Sequence, residues 1–316
     1  MDIHQYLSDH STRTNPKGAC IFIGDTHAQL PKVLSLLSNI KSYLVNKVNL
    51  EAWENATIVF LGDYVDRGKY AKELIEFFST TIHQEKPPGQ SIYFILGNHD
   101  FALMSFLDIV PRPTPEENPT AYDLSYFIEK GEELWKPKGK KDKKYMKKHL
   151  MLSQGYRYPH IFHCKNTFKS YGVSTYKRVK LMKAFPEHHK DFYRSLDWIR
   201  ILNIPNRGYA ICVHSGMLTD QSVISQIEDL NAKKLYERIH QTTYREEVVP
   251  IPSELQYDDI CLISGHHSFV SIKPSRLIID SCGGKDYRPL CAAVFPPSET
   301  QLNTFLDGHV IIESSV

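Results

Sequence analysis

The first hundred residues alternate between short, unbroken apolar runs and longer stretches that are apolar on one face only. "ACIFIG" (19–24), "TIVFLG" (57–62) and "SIYFILG" (91–97) have the length and branched side chains of strands buried on both faces. Between the first two, residues 29–45 place Leu30, Val33, Leu34, Leu37, Ile40 and Leu44 at helical spacing. Ala71, Leu74, Ile75, Phe78 and Ile82 form a second helical stripe, and a third helix is expected to begin within 100–108. Strand, helix, strand, helix, strand predicts an α/β layered sheet.

From about 110 to 155 this regularity lapses. "IVPRPTPEENPT" (109–120) is too rich in proline for either period, and "KPKGKKDKKYMKKH" (136–149) is a lysine run. The stretch reads as a polar insertion in a single domain spanning 1–316. The lysines are either a solvated surface or a landing site for an acidic or phosphorylated partner. Regularity returns with a helix predicted near 187–202 and strands at 209–213, 259–264, 276–280 and 290–295. Some of these strands follow one another without long helices between them, which predicts antiparallel pairing and a second sheet.

Composition narrows the classes of partner. A formal charge of +2 over 316 residues leaves no electrostatic footprint for nucleic acid or an anionic membrane as general partner. No apolar stretch approaches the ~18 residues of a membrane span. The opening "MDIHQYLSDHSTRTNPKG" lacks a basic region followed by an apolar one, so no secretory signal is expected. Of the six cysteines, Cys20, Cys212, Cys261 and Cys291 lie inside predicted strands and no CxxC pair occurs. They read as small core residues kept reduced, in the cytoplasm or nucleus.

The chemistry is concentrated where the strands end. Three early strands close on glycine and a polar cluster: "GDTH" (24–27), "GDYVDRG" (62–68) and "GNHD" (97–100). Two later ones repeat the device in "CVHSG" (212–216) and "ISGHHS" (263–268). Ligands of α/β sheets bind beyond the carboxyl ends of the strands, so these turns should converge. They would bring together Asp25, His27, Asp63, Asn98, His214 and His266. Any one of these could be an ordinary turn residue making a local hydrogen bond. Gathered together, carboxylates and imidazoles are costly to bury unless a cation holds them, so the set predicts a metal site.

The ordered motifs GDxH, GDxxDRG, GNH(D/E), HxG and GH resemble the calcineurin-like metallophosphoesterases, and "GDYVDRG" with "GNHD" is similar to the phosphoprotein phosphatase family. "NTFKSYGV" (166–173), "LMKAFPEHHKDF" (181–192) and "LIIDSCGG" (277–284) resemble its Rhizobiales-like branch. The resemblance implies an α/β fold of two mixed β-sheets between helices, in four α/β/β/α layers. It also implies two divalent ions (manganese, iron or zinc) that supply a bridging hydroxide for in-line attack on a phosphate monoester. Asp25 and His27 would hold the first ion, Asp63 would bridge, and Asn98, His214 and His266 would complete the second. Arg67, Asn98 and His99 would contact the substrate phosphate. His99 would protonate the leaving oxygen, and Asp66 would orient its ring. A second phosphate-binding arginine is expected at Arg157, with Arg178 as the lesser candidate.

The implied substrate is a phosphorylated protein or peptide, with preference for phosphotyrosine. Serine/threonine phosphatase, symmetrical dinucleotide-polyphosphate hydrolase and a catalytically inactive phosphate-binding module are the alternatives. A ring pocket could draw on Tyr156, Tyr158, Phe168 and Tyr171, which otherwise read as core and edge packing. The first motif departs from the usual GDxHG, because Ala28 stands where glycine is common; positive φ there would cost about 1–2 kcal/mol. His267 reads as a neighbour of the metal, and His188 and His189 carry no predicted role.

Overall fold

The computed structural model describes residues 2–110, 162–174, 177–233, 240–282 and 284–315. The proline- and lysine-rich stretch beyond Val110, together with Arg157, Tyr156 and Tyr158, lies outside the described residues. Among those described, the strands are β1 (Thr12–Arg13), β2 (Cys20–Ile23), β3 (Thr57–Phe60), β4 (Ser91–Phe94), β5 (Arg200–Ile204), β6 (Gly208–Cys212), β7 (Ile260–Ser264), β8 (Val270–Lys273), β9 (Arg276–Ile279), β10 (Cys291–Phe295) and β11 (Val310–Glu313). They form two mixed sheets flanked by helices, in the orders β11-β10-β2-β3-β4 and β1-β5-β6-β7-β9-β8.

In the first sheet β2, β3 and β4 run parallel, with β10 antiparallel to β2. In the second, β6, β7 and β9 are parallel. The two faces of each strand are distinguished by the two-residue alternation of side chains. Cys20, Phe22, Val59, Leu61, Cys212, Cys261, Ile263 and Leu277 pack between the sheets. Ile21, Ile23, Ile58 and Phe60 point the other way, into the cluster beneath the helices. All six cysteines are free thiols, and Cys282 alone of them is not buried.

Helix Leu30–Lys47 buries Val33, Leu36, Ile40 and Leu44, while Leu34 is 46 % exposed. The periodicity thus selected the right helix but turned its inner face one position too far. The second predicted helix is not continuous: Ala71–Glu76 passes into a π-helical turn, Phe77–Thr81, before Ile82–Glu85. The extra residue lets Phe77 and Phe78 both turn inward.

The segment predicted as one helix over 187–202 requires correction. The helix is Glu187–Ser195 and Leu196 is extended. Asp197 then exchanges backbone bonds with the end of β4, its N–H donating to the Phe94 carbonyl at 3.0 Å and its carbonyl accepting from Leu96 at 2.7 Å. With Ile199 and Ile201 buried beneath the helices and Leu202 and Ile204 between the sheets, branching and burial on both faces override an apparent helical period.

Candidate active site

The first and second turns are sewn together by backbone. His27 N–H donates to the Asp63 carbonyl at 2.7 Å and Ala28 N–H to the Tyr64 carbonyl at 3.0 Å. His27, Ala28, Asp63, Asp66, Arg67 and His266 all have positive φ, a conformation that costs a non-glycine residue roughly 1–3 kcal/mol. Ala28, at φ 55°, therefore occupies the strained position anticipated for it. Strain concentrated at one edge of two sheets points to function there.

A further buried carboxylate, not apparent as a structural element from the motif alone, offsets part of that strain. Asp100, in the first turn of helix Asn98–Leu107, accepts from Asp63 N–H at 2.7 Å, Tyr64 N–H at 3.0 Å and Gly97 N–H at 3.1 Å. Behind it, the Tyr64 hydroxyl donates to the Ile95 carbonyl at 2.6 Å, and its ring lies 5.7 Å from Phe192. The Asp63 turn is thus fixed to both the third strand and the helical layer. A β-carbon on Gly97 would lie 2.3 Å from both the amide and Oδ1 of Asp63. Gly97→Ala is accordingly expected to displace Asp63 and weaken metal binding by about 10–100-fold. Metal titration monitored by calorimetry would check this.

The predicted ligand residues meet. His27 Nε2 lies 3.7 Å from Asp25 Oδ2 and 3.5 Å from Asp63 Oδ2. His214 Nε2 lies 3.4 Å from Asp63 Oδ1 and 3.1 Å from Asn98 Oδ1. His266 Nδ1 is 3.0 Å from Asn98 Oδ1 and 3.1 Å from His214 Nε2. Asp25, His27, Asp63, His214 and His266 are buried, and Asn98 is half-buried.

Backbone partners fix how the imidazoles face. His27 Nδ1–H donates to the Val65 carbonyl at 3.1 Å and His214 Nδ1–H to the Leu61 carbonyl at 2.6 Å. Each therefore presents the lone pair of Nε2 to the cluster, the arrangement a metal-binding histidine requires. His27 Nε2 has no hydrogen-bond partner although buried, and its neighbours at 3.5 and 3.7 Å are too distant to serve. These distances suit donors that each approach a shared cation at about 2.0–2.2 Å. The Asp25 Oδ1 atom accepts from His266 N–H at 2.9 Å, and Asp63 Oδ1 accepts from His99 N–H at 3.0 Å. Asp63 belongs to two groups of close donor atoms, one with His27 and His99 and one with His214 and His266.

Without a cation the electrostatics are frustrated. Burial, then Asp280 and Asp63, pushes the Asp25 carboxyl well above the usual range. Burial, then the Arg67 guanidinium, drives the His27 imidazole well below its usual range, and burial with His214 does the same to His266. Burial opposes charge on His214 too, but the Asp63 and Asp25 carboxylates and the Leu61 carbonyl together outweigh it and hold that ring at about 9. Divalent ions would relieve the carboxylates and coordinate neutral imidazoles, so the donor set fits metal.

Next to this cluster, His99 Nδ1–H donates to Asp66 Oδ2 at 2.7 Å, while its Nε2 lies 3.8 Å from Asp63 Oδ2. The other Asp66 oxygen accepts from the Thr167 hydroxyl at 2.6 Å, and that hydroxyl accepts from Asp66 N–H at 3.1 Å. Thr167 went unnoticed in the sequence because its hydroxyl acts on a residue 101 positions away. Arg67 is half-buried, its stem lying against Gly284, whose β-carbon would be 2.2 Å from Cδ.

Several sequence expectations change. The Arg178 Nε donates to the Phe106 carbonyl at 2.5 Å, which places that guanidinium on the helical layer. Among the described residues Arg245 reaches the cluster, its Nη1 donating to the His266 carbonyl at 2.9 Å. Phe168 and Tyr171 are core residues: Phe168 meets Phe106 edge-on, and Tyr171 stacks on Phe185 at 4.6 Å. The His267 Nε2–H donates to the Ser215 carbonyl at 2.7 Å, and burial lowers that ring to about 4.

A stretch of 81 residues, 25 % of this chain, is 37 % identical to an uncharacterised protein of Schizosaccharomyces pombe and spans 24 % of that protein's length. Solved structures with similar folds include a candidate diadenosine tetraphosphatase (14 % identity, 97 % of this chain and 98 % of that one, TM-score 0.48). They also include the cold-active protein-tyrosine phosphatase of a Shewanella species (13 %, 90 % and 78 %, TM-score 0.47). A third is a protein serine/threonine phosphatase from Saccharomyces cerevisiae (12 %, 99 % and 87 %, TM-score 0.46). The family model for calcineurin-like phosphoesterases matches residues 20–295, from the first strand of the site to the strand beside it. The chain belongs to the calcineurin-like phosphoesterase family, hydrolases that use divalent metal ions.

Proposed function

We propose that the protein is a phosphoprotein phosphatase with two divalent ions, manganese, iron or zinc, working from a single domain in a reducing compartment such as the cytoplasm. The observation that carries this reading is the position of Asp63, whose two carboxylate oxygens face different histidines, His27 and His214. Asp25, His27 and Asp63 would hold one ion, and Asp63, Asn98, His214 and His266 the other. Such ions supply acidified water and polarise phosphoryl oxygens.

The chain's own groups would do the rest. Arg67, a planar fork of donors, binds two phosphate oxygens and stabilises the charge that builds on them. Arg245 joins Arg157 as a candidate for the second guanidinium, because its Nη1 donates to the carbonyl of a ligand histidine, whereas Arg178 is held on the helical layer. His99 donates a proton to the departing oxygen from Nε2, since Nδ1 is committed to Asp66. Thr167 holds Asp66 at the opposite oxygen, so the carboxylate that orients the ring cannot turn away from it without breaking two short hydrogen bonds.

The preference for phosphotyrosine rests on the motifs shared with the Rhizobiales-like branch, and on a phenol leaving more readily than an alkyl alcohol. A panel of phosphotyrosine, phosphoserine and phosphothreonine peptides with diadenosine tetraphosphate, assayed with manganese and with Asp63→Asn as control, tests it. Phosphotyrosine peptides should be hydrolysed fastest. Faster turnover of phosphoserine would reverse the preference, and hydrolysis of the dinucleotide alone would overturn the protein-phosphatase reading.

A further inference from the structure

Away from this centre, two consecutive histidines and a glutamate converge on one point. His188 and His189 lie in the first turn of helix Glu187–Ser195, and Glu76 ends helix Ala71–Glu76 where the π-helical turn begins. His188 Nε2 lies 2.9 Å from Glu76 Oε2, and His189 Nε2 lies 3.0 Å from the same oxygen. Successive helical residues project about 100° apart, so a helix does not ordinarily deliver both rings to a single atom. The three donor atoms fall within 4.8 Å of one another.

We propose that Glu76, His188 and His189 form a further metal site, binding one zinc ion or a similar borderline cation through Glu76 Oε2 and both Nε2 atoms, with water completing the coordination. Two imidazoles and a carboxylate are a donor set that zinc accepts at about 2.0–2.2 Å. Two ligands placed tetrahedrally around one ion are then about 3.3 Å apart, close to the distances found. The His189 ring is already oriented for this role: it is fully buried, with the Tyr171 hydroxyl 2.8 Å from Nδ1 as the outer partner that a ligating imidazole needs. The Thr80 hydroxyl lies beside the carboxylate, 3.1 Å from Glu76 Oε1, and is shared with the Glu76 carbonyl at 2.7 Å. His188 and Glu76 side chains are 48 % and 46 % exposed, which gives an ion a path of entry and leaves room for water.

Burial keeps the His189 ring below its usual pKa and hence neutral, and the two imidazoles hold Glu76 at about 2 and hence ionised. A bound ion would fasten helix Glu187–Ser195 to the helix and π turn that carry Phe77 and Phe78. Phe192 of the first helix packs against the Phe94 ring at 5.1 Å and the Phe78 ring at 6.1 Å. The site would therefore brace the aromatic layer behind Tyr64, stabilising the fold without touching substrate. The inference is independent of the reaction assigned to the other centre.

Zinc equilibrated with the full chain, followed by removal of free metal and elemental analysis, tests it on wild type, Glu76→Gln and His188→Ala. Wild type should retain one more equivalent of zinc than either variant. Its melting temperature should rise with zinc more than theirs, while hydrolysis of an aryl phosphate at saturating manganese stays the same in all three. Equal zinc retention and equal thermal response would show that the cluster is only a set of hydrogen bonds. Should Glu76→Gln fold poorly, His188→Ala decides the matter, since that ring is half exposed and opens no core cavity.

Discussion

Replacing Asp63 with asparagine is expected to lower kcat/KM for a phosphopeptide by at least ~10³-fold, with loss of bound metal. Among the described residues Asp63 is the one carboxylate within 3.5 Å of both His27 and His214, so its removal strikes both halves of the centre. Asparagine keeps the size and can still accept from the His99 N–H, which Asp63 Oδ1 does at 3.0 Å. The turn should therefore survive, and metal analysis alongside steady-state kinetics would separate lost chemistry from lost fold. Near-normal metal content with near-normal turnover would remove Asp63 from its bridging role.

The second large effect is expected at His99. Asparagine there should reduce kcat by about 10²–10⁴-fold toward an alkyl phosphate, the range for loss of a positioned general acid. The loss should shrink markedly for a nitrophenyl phosphate, whose leaving group needs little protonation. Metal content should be unchanged. That last readout matters, because His99 Nε2 is only 3.8 Å from Asp63 Oδ2 and shares a donor group with His27. If metal departs in His99→Asn, and the loss is equal for both substrates, His99 is a ligand and not an acid. Disturbing Asp66 or Thr167 should reproduce the same leaving-group pattern in weaker form, since each acts through the ring.

Much of this centre is legible in the sequence because of how sheets end. A buried parallel strand is a continuous apolar run, so the polar residue after its glycine is conspicuous and its direction is known. Asp25, His27, Asp63, Asn98, His214 and His266 all declare themselves this way. Residues that act on the ligands at a distance do not. Thr167 sits in a short helix whose pattern says only that Phe168 is buried, and Arg245 lies in a stretch with no strong period.

Local pattern also misjudged two elements for physical reasons. Residues 200–204 became a strand because they pair with β6 on one side and with the distant β1 on the other, the latter a partner invisible to a window of twenty residues. Leu34 and Leu36 exchanged roles because several apolar residues in one helix satisfy more than one inward face. Asp100 belonged to a motif that was recognised, yet its use as a three-way acceptor for the Asp63 turn needed the fold.

The most direct test is anomalous diffraction from crystals grown with manganese. Two peaks about 3.5–4 Å apart should appear on either side of Asp63, one touching Asp25 and His27 and the other Asn98, His214 and His266. A single peak, or none within coordination distance of Asp63, would contradict the two-ion centre.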